Sequence, residues 1–122
     1  MLNASQNLGV LGEELAYQYL RKEGYKVLLR NYECTLGEID LIAKDKGALV
    51  FVEVKTRTSS AMGHPAEAVT HDKQRQILKC AQFYVKRYGI REVPCRFDVV
   101  SILMPSSGET RVELIRDAFG ER

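Results

Sequence analysis

The stretch Gly37 to Arg57, GEIDLIAKDKGALVFVEVKTR, constrains the fold more than any other part of the chain. It reads as two β-strands joined by a tight turn. The first run, Gly37 to Ala43, mixes Ile39, Leu41 and Ile42 with two acids. Lys44-Asp45-Lys46-Gly47 supplies the turn, its Asp and Gly suiting positive φ. The second run, Ala48 to Thr56, is dominated by β-branched and aromatic residues. Strand alternation sends Leu49, Phe51, Glu53 and Lys55 to one face and Val50, Val52 and Val54 to the other. A strand apolar on both faces belongs in the middle of a sheet. Burying Glu53 and Lys55 there costs several kcal/mol unless something compensates.

Register decides whether Asp40 joins them. A two-residue loop, Lys46-Gly47, sets Asp40 directly opposite Glu53. A four-residue loop, Lys44 to Gly47, sets it diagonal. Either way the carboxylates lie within about 8 Å on one face. Two such carboxylates repel and raise each other's pKa. A divalent cation relieves the repulsion, and few hard oxygen ligands with room for water suit Mg²⁺ or Mn²⁺. Lys55 stands where it can orient an attacking water or neutralise a phosphoryl transition state.

Asp40 followed by Glu53-Val54-Lys55 resembles the D…(D/E)-x-K signature of restriction-endonuclease-like nucleases, with Ile39 where a Pro usually precedes the Asp. The strings GEIDLIA, FVEVKTR and RFDVV look like the YraN family of uncharacterised bacterial proteins, which resembles archaeal Holliday-junction resolvases. This resemblance runs from Gly9 to about Leu103. It implies a nuclease-type fold. It also implies a role for Glu13, which matches a family acid four residues after a Gly and three before a small residue. Glu14 is expected to face solvent.

Around this hairpin the rest of the chain reads in order. An amphipathic helix is predicted from about Gln6 to Glu23, with Leu8, Leu11, Gly12, Leu15, Ala16 and Tyr19 at helical spacing. The small residues Gly9, Gly12 and Ala16 suit close contact with a sheet. Tyr25 to Tyr32 reads as a first strand. After Arg57, a Ser-, Gly- and Pro-rich loop carries His64. Thr70 is a plausible N-cap of a second helix to about Tyr88, its inner stripe Ile77, Ala81, Tyr84 and Tyr88. Lys73 and Arg75 near its start suit phosphate, as does Arg57. Arg96 to Leu103 is a further strand. Its Asp98 is expected to pair with Arg96 or Lys55 rather than to join a metal cluster. Arg111 to Arg116 alternates like an edge strand, and Ala118 to Arg122 are expected to fray.

The predicted fold is α/β, an α-β-β-β-α-β core with a mixed sheet flanked by helices and an extra C-terminal edge strand. A helical crossover makes the fourth strand parallel to the third. At 122 residues, one domain spanning 1–122 is expected. The 45% hydrophobic and 28% charged content fits an ordinary globular protein. No apolar run approaches a membrane span, and the N-terminus lacks a basic leader region. The net charge of +2 is too small to argue for nucleic acid by itself, so local pattern matters more. Cys34, Cys80 and Cys95 form no C-x-x-C and have no His at ligand spacing, which argues against zinc and suggests reduced thiols in the cytoplasm.

The expectation is therefore a Mg²⁺- or Mn²⁺-dependent endonuclease acting on nucleic acid, branched DNA in particular. Asp40, Glu53, Lys55 and Glu13 would be catalytic. Asp40, Glu53 and the Val54 carbonyl would hold the metal. Arg57, Lys73, Arg75 and His64 would contact phosphates. A homodimer is expected if the substrate is a four-way junction, where two symmetric cuts are needed. The alternatives are a non-catalytic nucleic-acid-binding protein of the same fold and a purely structural ion network.

Overall fold

The computed structural model describes residues 3–59 and 69–120. The elements run α1 (Ala4–Lys22), β1 (Lys26–Cys34), β2 (Gly37–Asp45), β3 (Ala48–Arg57), α2 (His71–Arg87), β4 (Cys95–Leu103) and β5 (Arg111–Phe119). One sheet has the order β1-β2-β3-β4-β5, with β3 and β4 parallel and every other neighbour antiparallel. This is the expected mixed α/β arrangement. Each face carries one helix. α1 covers Leu41, Ala43, Val50, Val52, Val100 and Ile102, while α2 covers Ile42, Leu49, Phe51 and Val99. Among the described residues, no helix is long and apolar enough to cross a membrane.

β3 is the central strand, buried without a break from Leu49 to Glu53. The β2–β3 hairpin takes the shorter of the two predicted loops, with Asp45 paired to Ala48. Lys46 (φ 48°) and Gly47 (φ 87°) carry the positive φ values of a two-residue hairpin turn. Asp45, expected in the turn, instead ends β2 and is buried against Arg96 at 2.8 Å. Its carboxylate gains more from that pair than from a turn position.

α1 starts earlier than predicted because Asn3 caps it. The Asn3 side chain accepts from the Gln6 amide at 2.8 Å, and the Gln6 side chain accepts from the Asn3 amide at 3.0 Å. Its buried line is Gly12, Ala16 and Leu20, whereas Leu11 and Leu15 are exposed. Gly12 and Ala16 face the sheet as expected, while the leucines spaced with them are turned aside. The reason is the close crossing at β3: a Cβ on Gly12 would lie 1.9 Å from Thr56 Oγ1. Gly9 meets no such neighbour.

Other boundaries moved as well. β1 continues through Glu33 and Cys34, so only Thr35 and Leu36 link it to β2. β4 begins one residue early, at Cys95. Tyr88 caps α2 and is 61% exposed rather than part of its inner stripe. β5 runs on to Phe119, which is buried in an aromatic stack with Phe97 at 5.3 Å between centroids. Burial of that ring holds Ala118 and Phe119, which were expected to fray, while Glu121 and Arg122 lie outside the described residues.

Asp98 is fully buried on the α1 face. Arg96 Nε donates to it at 2.9 Å and the Tyr25 hydroxyl at 2.6 Å. A bulge in β5 turns the Asp117 amide onto the same carboxylate at 2.9 Å. Arg96 also pairs with Asp45, and Arg116 donates to the Tyr25 hydroxyl at 3.2 Å. Burial and the Asp98 carboxylate raise the Tyr25 pKa to about 12, so Tyr25 stays a donor. Asp45, Asp98 and, at longer range, Glu23 meet Arg96 and Arg116 in this network. Asp98 therefore pairs with Arg96, and Lys55 takes no part.

Candidate active site

The site is built where β2 and β3 part. Their paired register ends at Leu41–Val52, although β2 itself extends back to Gly37. In the gap, Asp40 Oδ2 accepts from the Val54 amide at 2.8 Å. A side-chain carboxylate thus replaces the backbone carbonyl that a continuing ladder would have offered.

The cause lies in the edge strand. Asn31, between the pairs Arg30–Leu41 and Tyr32–Ile39, adopts φ 56°. The strand turns over there. Arg30 reaches Glu14 on α1 at 2.7 Å, while Tyr32 packs edge-on against Tyr84 on α2. β2 turns with it, since Leu41 packs on the α1 side and Ile39 on the α2 side. Asp40 sits between those two residues, and its carboxylate points into the strand gap. Simple alternation had placed it on the Glu53 face.

Glu53 keeps the predicted face. It is 8% exposed and lies on the α2 side, with Lys73 Nζ 3.7 Å from its Oε2. Burial raises its pKa most, and hydrogen bonding to Asp40 with that residue's charge raises it further. Lys73 and Lys55 oppose the shift without cancelling it. The carboxyl is held at about 9. Glu13 approaches from α1, half-buried, its pKa raised by burial and then by the charges of Asp40 and Glu38. Glu38 was not singled out from the sequence. Its spacing two residues before Asp40 is the signal that could have found it.

The predicted residues do not all converge. Lys55 is exposed at the edge of the group. Arg57 ends β3, where its carbonyl accepts from the Met104 amide at 2.8 Å. Lys73 stands in the first turn of α2, whose cap Thr70 accepts from the Lys73 amide at 3.2 Å. Arg75 lies two residues on, about 200° around the helix. It pairs with Asp72 in solvent. Glu14 is exposed as expected and bonded to Arg30 and Gln18. His64 lies outside the described residues. Among the described residues, no three His, Cys, Asp or Glu side chains group as ligands for one ion.

The donor set still suits a small hard cation. Asp40 and Glu53 share a hydrogen bond that requires a proton, and both would be acceptors if a cation replaced that proton. The nearby ammonium of Lys73 is at long range for an ion pair. Asp40 is already oriented by the Val54 amide, so one of its two oxygens is fixed before any ligand arrives.

The model of the uncharacterised protein family UPF0102 matches residues 12–102, which include all of these acids. A UPF0102 protein of Caldicellulosiruptor saccharolyticus is 45% identical over 115 residues, covering 93% of this chain and 98% of its own. One from Symbiobacterium thermophilum is 47% identical, covering 94% and 98%. One from Caldanaerobacter subterraneus is 48% identical, covering 93% and 95%. With a family model across most of its length and relatives matched nearly end to end, the chain belongs to the uncharacterised protein family UPF0102, the YraN proteins its motifs resemble.

Proposed function

We propose that the protein is a metal-dependent nuclease that hydrolyses phosphodiester bonds of nucleic acid, with branched DNA as its substrate class. The observation that carries this reading is a contrast in how two buried carboxyls are satisfied. Asp98 accepts direct hydrogen bonds from Arg96, the Tyr25 hydroxyl and the Asp117 amide. Buried Glu53 instead has a second acid, Asp40, beside it and the Lys73 ammonium only at 3.7 Å, while Glu13 and Glu38 stand nearby with Arg30 and the exposed Lys55. A structural ion network has no use for two carboxyls set against each other. A cation site does.

Asp40, Glu53 and the Val54 carbonyl would hold Mg²⁺ or Mn²⁺. Such an ion supplies Lewis-acid polarisation of a phosphate and lowers the pKa of a water. The chain's own groups do the rest. The Val54 amide fixes the Asp40 carboxylate. Lys55 orients the attacking water and neutralises charge developing on the phosphoryl oxygens. Glu13 acts from the α1 side through water. Lys73, Arg57 and the N-terminus of α2 hold the flanking phosphates. On a four-way junction, two copies would make the two cuts.

The test is incubation of pure protein with labelled linear, flapped and four-way DNA in Mg²⁺, Mn²⁺ or EDTA. Cleavage with metal, lost in EDTA and in Glu53→Gln, is expected. No cleavage, no binding of divalent ion at millimolar concentration, and severe destabilisation by Asp40→Asn would together overturn the reading.

A further inference from the structure

Cys34 and Cys80 are 46 residues apart in the chain, yet their sulfurs lie 3.6 Å apart, with the Cys34 thiol donating to Cys80 Sγ. Both are free thiols. Cys34 is the last residue of β1 and is half-buried, while Cys80 on α2 is fully buried. Cys34 also lines an open groove of about 430 Å³ with Gly37, Glu38, Lys73 and Gln76. Cys34 thus borders the groove while Cys80 lies buried next to it. An S–S bond is roughly 2.05 Å, so the sulfurs need only a small approach. Cys34 flanks the two-residue link to β2, where it pairs with Gly37 at the end of the strand register.

We propose that Cys34 and Cys80 are a peroxide-responsive pair that closes to an intramolecular disulfide. The Cys34 thiolate attacks a peroxide oxygen and the O–O bond breaks. With hydrogen peroxide this leaves Cys34 sulfenic acid and hydroxide, which takes up as water the proton that the Cys34 thiol had given up. The Cys80 sulfur then attacks the Cys34 sulfur, the S–O bond breaks, and the departing hydroxide takes the Cys80 proton as a second water. Two thiols are oxidised and one peroxide is reduced to two waters. Burial raises the pKa of the Cys80 thiol to about 12, which suits it to resolve rather than to react first.

The bond has a structural consequence at the groove. Lys73, Gln76 and Cys80 follow one another along one side of α2 at spacings of three and four. The β1–β2 link already presses on that side, since a Cβ on Gly37 would lie 2.6 Å from Gln76 Nε2. A disulfide pins the link to α2, next to the Glu53–Lys73 contact. The chemistry of the pair does not depend on the nuclease reading.

The test uses the reduced full-length chain. It is treated with hydrogen peroxide, quenched, unfolded and alkylated, then read by intact mass and peptide mapping. Two of the three thiols are expected to escape alkylation, with Cys34 and Cys80 in one linked peptide and Cys95 still modified. Cys95→Ser should behave identically, and Cys80→Ser should leave a Cys34 sulfenic acid that dimedone captures. Hydrogen exchange of the β1–β2 link should slow on oxidation. Three alkylated thiols under peroxide that fully oxidises free cysteine would overturn the proposal. So would Cys34 as sulfinic acid with Cys80 still a thiol, a link through Cys95, or exchange of the β1–β2 link that oxidation leaves unchanged.

Discussion

Asp40 Oδ2 accepts a hydrogen bond from the Val54 amide at 2.8 Å, in the gap where β2 and β3 separate. The contact gives Asp40 two duties, one in the backbone and one in the charge of the site, and substitutions divide them. Asn keeps an acceptor for the amide and loses the charge. Asp40→Asn is therefore expected to melt at or slightly above the wild-type temperature without metal. It should lose calorimetric Mg²⁺ or Mn²⁺ binding and lower cleavage by on the order of 10²-fold or more. Asp40→Ala strands the amide and should cost about 1–3 kcal/mol in urea unfolding.

Glu53 makes metal-free stability depend on pH. Its folded pKa is raised from 4.5 to about 9, by burial first and then by Asp40. A group that holds its proton more tightly folded than unfolded contributes stability that is complete below 4.5. That contribution is lost as pH rises through about 9. Melting temperature in EDTA should fall across this window. Glu53→Gln should flatten the profile, and added Mn²⁺ should restore stability at the alkaline end. A flat wild-type profile would mean that Asp40 and Glu53 do not share a proton.

The Tyr25 hydroxyl donates to buried Asp98 at 2.6 Å. Tyr25→Phe leaves that carboxylate short of a donor and should lower stability by about 1–3 kcal/mol. Asp98 pairs in register with Val52, next to Glu53 but on the opposite face. Divalent-ion affinity should therefore hold in Tyr25→Phe while its urea midpoint drops.

Gly12 is where α1 touches β3. Ala is the better helix former by about 1 kcal/mol. Gly12→Ala should nevertheless destabilise by about 1–3 kcal/mol, because the new methyl meets Thr56 Oγ1 at 1.9 Å. Paired replacement with Thr56→Ala should recover most of the loss, which a thermal melt of the single and double variants would reveal.

Nucleic-acid affinity should fall steeply with salt. Removing Arg57 or Lys73 should flatten the log–log slope by about one unit each. Arg75, on the far side of α2 and paired with Asp72, should change the slope little. Titrations of each Ala variant across a salt series separate the cases.

Strand order and helix placement were legible because apolar periodicity is local. The β-branched run of β3, the stop at Gly89 and the Thr70 cap each declare themselves within a few residues. The even-length loop was legible as well, and the register it sets ends one pair short of Asp40 and Glu53. Long-range packing was not legible. Gly12 and Ala16 marked the side of α1 that meets the sheet, yet the leucines spaced with them, Leu11 and Leu15, are exposed. Alternation put Asp40 on one face, yet the overturned backbone at Asn31 sends it into the gap between strands. Cys34 and Cys80 share no spacing that a sequence pattern could detect, and only the packing of α2 against the end of β1 brings their sulfurs together. Local chemistry is carried by neighbours in the chain. Which distant groups meet depends on how closely two surfaces can approach, and that is settled only when the sheet and helices pack.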